Sequence, residues 1–86
     1  MNVNEVKRTI RAGNQAAKEA KTTLDQTGAE AAAAEQLARV TIHDSQDEDA
    51  QAGLKILQGF GREVELVIRR VDAAVEHANA YLAALG

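Results

Sequence analysis

Apolar residues recur along this chain in steps of three and four, the spacing that places side chains on one face of an α-helix. Two such series run through the first half, and each repeats every seven residues: Val3, Ile10, Ala17, Leu24, Ala31, Ala38, and Val6, Gly13, Ala20, Thr27, Ala34, Thr41. The stripe they predict is narrow and made of small side chains. The bulkier Leu37, Val40 and Ile42 lie off this register, which predicts that the stripe shifts near its end.

The second half carries a wider apolar stripe. Three neighbouring rows repeat every seven residues: Ala50, Leu57, Val64, Val71, Ala78, Leu85; Leu54, Gly61, Ile68, Val75, Leu82; and Gly53, Phe60, Val67, Ala74, Tyr81. One neighbouring helix does not cover three rows, so we expect this helix to contact more than the first helix. Outward positions carry charged residues, which indicate a solvated outer side: Lys55, Arg62, Glu63, Glu65, Arg69, Asp72, Glu76.

Between these patterns lies the acidic stretch TIHDSQDEDA, residues 41–50. Ser45 stands three residues before Glu48, which is the spacing of a capping box at a helix start. Asp47 and Asp49 would then lie in the first turn, where carboxylates face the positive end of the helix dipole. His43 is suited to the end of the preceding helix. The stretch therefore predicts a short connection between two helices that fold back on each other.

A calcium loop is the competing interpretation of the same stretch. An EF-hand loop that begins at Asp44 needs glycine at its sixth position and glutamate at its twelfth, but these positions hold Asp49 and Lys55. Both requirements fail.

A second candidate break lies at Gly28, where Thr27 stands three residues before Glu30 in the pattern of another capping box. The seven-residue repeat passes through Thr27 without a change of phase. This favours a continuous first helix and leaves a kink at Gly28 as the alternative.

These patterns predict an all-α fold with one domain spanning residues 1–86. We expect helices over residues 3–43 and 46–85, joined by a turn at 43–46 and packed antiparallel as a helical hairpin. The absence of proline and the 27% of charged residues agree with long helices. The uncovered third row predicts that two hairpins pair into a four-helix bundle dimer, with a second copy or a related hairpin protein as partner. The predicted interface residues are Leu54, Leu57, Phe60, Val64, Val67, Ile68, Val71, Val75, Tyr81 and Leu82.

Little in the sequence indicates catalysis or cofactor binding. The chain has no cysteine, and His77 has no His or carboxylate three or four positions away with which to hold a metal. Ser45, the only serine, is not within a nucleophile-elbow motif. The glycines Gly53 and Gly61 lie within a helical pattern, where we expect them to admit a neighbouring helix rather than a phosphate. We therefore predict a non-enzymatic interaction module without cofactor or metal.

The alternative function is a small nucleic-acid-associated regulator. It would use a basic stripe near the N-terminus: Lys7, Arg8, Arg11, Lys18, Lys21. Glu5 and Glu19 interrupt this stripe, no aromatic residue lies beside it to stack on a base, and the chain has a net charge of −3. These features make nucleic acid the weaker prediction.

The N-terminal sequence MNVNEVKRTIRAG lacks the apolar core of a signal peptide, and no apolar run is long enough to span a bilayer. We therefore expect a cytoplasmic location, or export by a route that needs no cleavable signal peptide.

Two helices of near-equal length, a short central turn, an alanine-rich first helix and an acidic chain without cysteine resemble the WXG100 or ESAT-6-like family of small bacterial helical hairpins. The resemblance covers the outline of the whole chain. Its motifs differ, since the turn His43-Asp44-Ser45 has no tryptophan and Tyr81 is followed four residues later by Leu85 instead of Asp or Glu. The resemblance implies a four-helix dimer that acts as a substrate, partner or chaperone of a type VII secretion system.

Overall fold

A computed structural model describes residues 1–86 as two α-helices, α1 over Val3–Ile42 and α2 over Glu48–Leu85. The helices contact each other along their length, and no strand is present. The molecule measures 63 × 16 × 15 Å, which is close to the length of one 40-residue helix. The predicted all-α helical hairpin is confirmed.

Helix α1 begins at the N-cap Asn2, whose side chain accepts a hydrogen bond from the Glu5 backbone N–H at 2.8 Å. The helix continues through Gly28 without a break. The Thr27 hydroxyl donates to the carbonyl of Thr23, one turn earlier, at 2.9 Å and therefore does not cap a new helix. The continuous interpretation of this segment is confirmed.

The turn between the helices differs from the prediction in its capping residue. His43 ends α1, and its Nδ1 lies 3.0 Å from the Val40 carbonyl oxygen. Ser45 Oγ accepts the Asp47 backbone N–H at 3.1 Å, and Asp47 Oδ1 in turn accepts the Ala50 backbone N–H at 3.0 Å.

Asp47 is therefore the N-cap of α2, and the predicted capping box of Ser45 and Glu48 is wrong. The Ser45 side chain accepts a hydrogen bond inside the turn and does not cap the helix. The backbone is still extended at Asp47, with ψ of 129°. As a result α2 begins at Glu48, two residues later than predicted. Glu48 and Asp49 occupy its first turn, where their charges oppose the helix dipole as expected.

Two of the three apolar rows of α2 face α1 and one does not, as the width of the apolar stripe predicted. The rows containing Leu57 and Leu54 face α1, and Val64 at their centre is only 5% exposed. The third row remains outside this contact, with Phe60, Val67 and Tyr81 exposed by 43%, 40% and 54%. One hairpin thus leaves one apolar row of α2 uncovered.

Helix α1 presents only one of its two predicted rows to α2. The row from Val3 to Ala38 faces α2, except that Val3 itself is exposed. The second predicted row is wrong at four of its six positions, because Gly13, Ala20, Ala34 and Thr41 are exposed while Val6 and Thr27 are half-buried. Its place is taken by a row one position further along the chain, in which every member is half-buried: Lys7, Asn14, Lys21, Gly28, Glu35, Ile42.

The physical reason lies in side-chain length. Alanine and glycine have little apolar area to bury, whereas the long stem of a lysine covers a neighbouring apolar surface while its ammonium group stays at the edge. The same row includes Ile42, so the predicted shift of the stripe does not occur. Leu37 and Val40 are simply exposed, by 69% and 63%.

The helices approach each other closely at Gly28. A Cβ added there would lie 3.4 Å from Val64 Cγ1, and Ala31, one turn later, is the other buried residue of the chain. Gly53 and Gly61 do not have this role within the hairpin, since a Cβ at either would meet nothing within 4 Å. Only two residues of the whole chain are buried.

Candidate interaction surface

Three polar contacts join the helices at regular intervals. Lys7 Nζ donates to the carbonyl oxygen of Gly86, Asn14 Nδ2 donates to Asn79 Oδ1 at 2.9 Å, and Lys21 Nζ lies 2.9 Å from Asp72 Oδ1. Each contact is seven residues from the next on both helices, in opposite directions, so successive contacts are about 10 Å apart. We call these three pairs the polar ladder. They fix which residues of α1 and α2 lie at the same level.

The Lys21–Asp72 pair is the charged member of the ladder. The hydrogen bond and the charge of Asp72 raise the pKa of Lys21, and Asp25 adds a smaller effect in the same direction. Asp72 had been predicted to lie on the solvated outer side, but it is half-buried beside α1. The sequence did carry a signal for this pair, since complementary polar residues recur at matching seven-residue steps in the two halves.

An open groove of about 720 Å³ runs beside the ladder. Its charged and polar lining includes Arg11, Asn14, Gln15, Lys18, Lys21, Asp72, Glu76 and Asn79. We call this side of the hairpin the polar groove. Smaller grooves continue along the same side toward the turn, where Arg39 Nη2 and Glu35 Oε1 form an ion pair at 2.7 Å.

The polar groove determines what the predicted basic stripe can do. Three of its five cations line the groove together with the carboxylates of Asp72 and Glu76, and Lys7 donates to the Gly86 carbonyl. Carboxylates within the same groove reduce the positive potential that a polyanion would need. This arrangement gives no support to the nucleic-acid alternative.

The opposite side of the hairpin is apolar. In an antiparallel helix pair, corresponding flanking rows of the two helices lie on the same side of the seam. The exposed row of α2 therefore shares a side with the row of α1 that had been predicted as its second seam row. We call these ten positions the apolar face: Gly13, Ala20, Thr27, Ala34, Thr41, Gly53, Phe60, Val67, Ala74, Tyr81. None of them carries a charge.

The ten predicted interface residues divide between the two helix surfaces. Seven of them face α1 within the hairpin: Leu54, Leu57, Val64, Ile68, Val71, Val75, Leu82. The other three, Phe60, Val67 and Tyr81, are the bulky members of the apolar face. The prediction missed Ile56 and Leu37, which are exposed by 72% and 69%. The sequence could have indicated them, because both are bulky residues one position outside an apolar row.

The residues that could bind a metal ion do not lie together. No group of three or more His, Asp or Glu residues is arranged to hold a metal ion. His43 lies at the turn, with Nε2 3.0 Å from Asp44 Oδ2, while His77 is exposed on α2. Neither helix includes a segment with the length and apolarity that crossing a membrane requires. Comparison of the chain with protein-family models, curated proteins and solved structures finds no match.

Proposed function

We propose that this protein is a non-enzymatic interaction module whose apolar face pairs with a second copy of the chain to form a four-helix bundle. The observation that carries the proposal is the uncharged apolar face, on which Phe60, Val67 and Tyr81 remain 40–54% exposed. Fully burying an exposed side chain of this size stabilises a protein by about 1.5–3 kcal/mol, and covering the fraction still exposed here would supply roughly half of that for each residue. A chain with only two buried residues has few other sources of stability.

The accessible surface supports the same proposal. The hairpin exposes 6421 Å², whereas a compact protein of 9.2 kDa exposes about 4,900 Å² by the usual scaling of surface with mass. The excess of roughly 1,500 Å² exceeds the ~800 Å² that each partner buries in a standard stable interface. An interface of standard size along the 63 Å length of the apolar face would remove about half of this excess.

The resemblance to WXG100 chains adds a narrower proposal, that the module serves type VII secretion as a substrate, partner or chaperone. It is supported by the outline of the hairpin, with helices of 40 and 38 residues joined by a short turn. A gene for a secretion ATPase beside the gene for this chain would support it. A chain whose export is unchanged when that ATPase is deleted would contradict it.

Sedimentation equilibrium tests the proposed self-association directly. We expect a dimer at tens of micromolar, and a parallel measurement of circular dichroism should show helicity falling as dilution dissociates it, since association and folding are linked. A well-folded monomer at tens of micromolar would contradict the proposal and would mean that the apolar face serves a different protein.

A further inference from the structure

The apolar face is stepped. The polar ladder fixes the levels of the two helices, and on the apolar face it places Phe60 within one residue of the level of Ala34, Val67 within one residue of Thr27, and Tyr81 within one residue of Gly13. Every bulky residue of the α2 row thus stands beside a small residue of the α1 row. The α2 row therefore holds all the bulky side chains of the face, with the small residues Gly53 and Ala74 among them, whereas the α1 row is low along its whole length.

Two symmetric arrangements bring two such faces together. If the two-fold axis runs along the hairpin, the turns lie at the same end and α2 of each copy covers α1 of the other. If the axis runs across the hairpin, the turns lie at opposite ends, and each helix covers its own equivalent. In the second case the α2 row, which holds all the bulky residues, meets its own copy, and the α1 rows, which hold only Gly, Ala and Thr, meet each other, which leaves a void between the α1 rows.

We infer that the two copies pair with their turns at the same end, so that Phe60 of each chain packs over the partner's Ala34 and Tyr81 over the partner's Gly13. This inference rests on the proposed self-association and specifies its geometry. Each α2 row then packs against a low α1 row, which is the alternation of large and small side chains that fills a helical core. Every α2 helix contacts α1 of its own chain and α1 of the other.

The edge of the apolar face supports the same orientation independently. Ile56 and Leu37 are the most exposed large residues of α2 and of the turn half of α1, and the ladder places them at the same level. With the turns together, Ile56 lies beside the partner's Leu37, and both are covered. With the turns apart, Ile56 lies near the open end of the partner, far from that leucine.

A distance measurement between the two turns tests the orientation. The chain has no cysteine, so Gln46→Cys, at an exposed position in the turn, gives one unique site for a nitroxide spin label. Double electron–electron resonance on the labelled dimer should give a distance of roughly 30 Å or less, because helices in a bundle are only 8–10 Å apart. With the turns at opposite ends the distance would approach the 63 Å length of the hairpin.

Sedimentation equilibrium of the same labelled protein separates the two ways of failing. A dimer with an inter-label distance near the length of the hairpin overturns the inferred orientation and leaves the self-association intact. A monomer overturns both. A dimer with the short distance supports both, and because Gln46 makes no side-chain hydrogen bond, the label should not disturb the fold.

Discussion

The two sides of this hairpin are built from the same two helices but use different interactions. On the polar groove side, Asn14 meets Asn79 and Lys21 meets Asp72, so the polar groups of α2 find partners within the chain. On the apolar face, Phe60, Val67 and Tyr81 have no bulky neighbour on α1. The directional contacts that fix the register therefore lie within the chain, whereas the bulky side chains of the apolar face remain partly exposed.

This comparison suggests a division of roles. Hydrogen bonds and ion pairs at a solvated edge contribute little net free energy but are geometrically selective. Apolar burial contributes more free energy and selects weakly among registers. One side of the hairpin would then determine how the chain folds back, and the other would determine how stable the assembly is.

The largest expected effect comes from placing a charge on the apolar face. Phe60→Asp removes one of the three bulky side chains of the face and puts a carboxylate where the proposed second copy would pack. Truncating a buried phenylalanine costs about 3–5 kcal/mol, which is a large part of the ~5–15 kcal/mol that stabilises a domain. We expect the dimer to dissociate and most of the helicity to be lost, as measured by sedimentation equilibrium and circular dichroism.

The matched control is Ala73→Asp, which introduces the same carboxylate on the outer, exposed side of α2. This variant should remain dimeric and helical. If both variants behaved alike, the apolar face would be no more sensitive to charge than the outer surface, and its role as an interface would have to be abandoned.

A smaller effect is expected from filling the low row of the apolar face. Ala34 is exposed in the hairpin, so Ala34→Leu disturbs no contact within the chain. At a well-packed interface, overpacking costs about 1–3 kcal/mol. We therefore expect the Kd of the dimer to rise about 10–100-fold.

Ala33→Leu makes the same change at the adjacent, outward-facing position of α1 and should leave the Kd unaltered. Tighter association of the Ala34→Leu variant would show that this row lies open in the dimer, and would favour a different covering of the face.

The exposure of Ala34 in the hairpin shows how far the sequence could predict the site. The three rows of α2 were predictable, because Leu, Ile, Val and Phe residues define a wide stripe whose burial has one solution. Of the two α1 rows, the one from Val3 to Ala38 was predicted and the second was not, because Gly13, Ala20 and Ala34 resemble a seam by periodicity but offer little area to bury. The actual seam row contains Lys7, Asn14 and Lys21, whose place is set by partners on α2 and not by their own polarity.

The turn shows a second limit of local patterns. Ser45 and Asp47 both precede acidic residues and both suit an N-cap, and the capping box favoured Ser45. Which of them caps α2 depends on where the extended backbone of the turn ends, and it ends at Asp47, whose backbone N–H donates to Ser45 Oγ inside the turn. The acidic stretch alone predicted that the helix breaks here, but it did not predict the first residue of α2 to within two positions.

A third prediction separates stability from association at this turn. Asp47→Ala removes the N-cap of α2, which costs about 1 kcal/mol and lowers Tm by about 4–8 °C for a domain of this size. Ser45→Ala removes only a contact inside the turn and should cost less. Both changes lie away from the two faces, so the dimer should persist at tens of micromolar in each variant. A larger Tm loss for Ser45→Ala would restore the capping box as the helix start.

The smallest expected effect is on the polar groove side, where Asp72→Asn removes the charge opposite Lys21. The two side chains keep 39% and 49% of their surface exposed, so solvent screens the pair, and the variant should remain dimeric and lose less Tm than Asp47→Ala. Because Asp72 raises the pKa of Lys21 above its ordinary value of 10.5, the pair contributes fully below that pH and is lost as pH rises through the pKa of the folded state. The Tm difference between wild type and Asp72→Asn should therefore be constant from about pH 7 to 9 and shrink above pH 10.5.

Asn79→Ala is the uncharged comparison, since it breaks the neighbouring Asn14–Asn79 contact of the same ladder. Its Tm difference from wild type should not change when Lys21 loses its proton, whereas that of Asp72→Asn should. Differences that changed in parallel would show a general effect of alkaline pH on the helices. A difference for Asp72→Asn that persisted unchanged well above pH 10.5 would mean that Asp72 acts by packing or hydrogen bonding alone, and that the polar groove orders the hairpin without using the charge of its lysine.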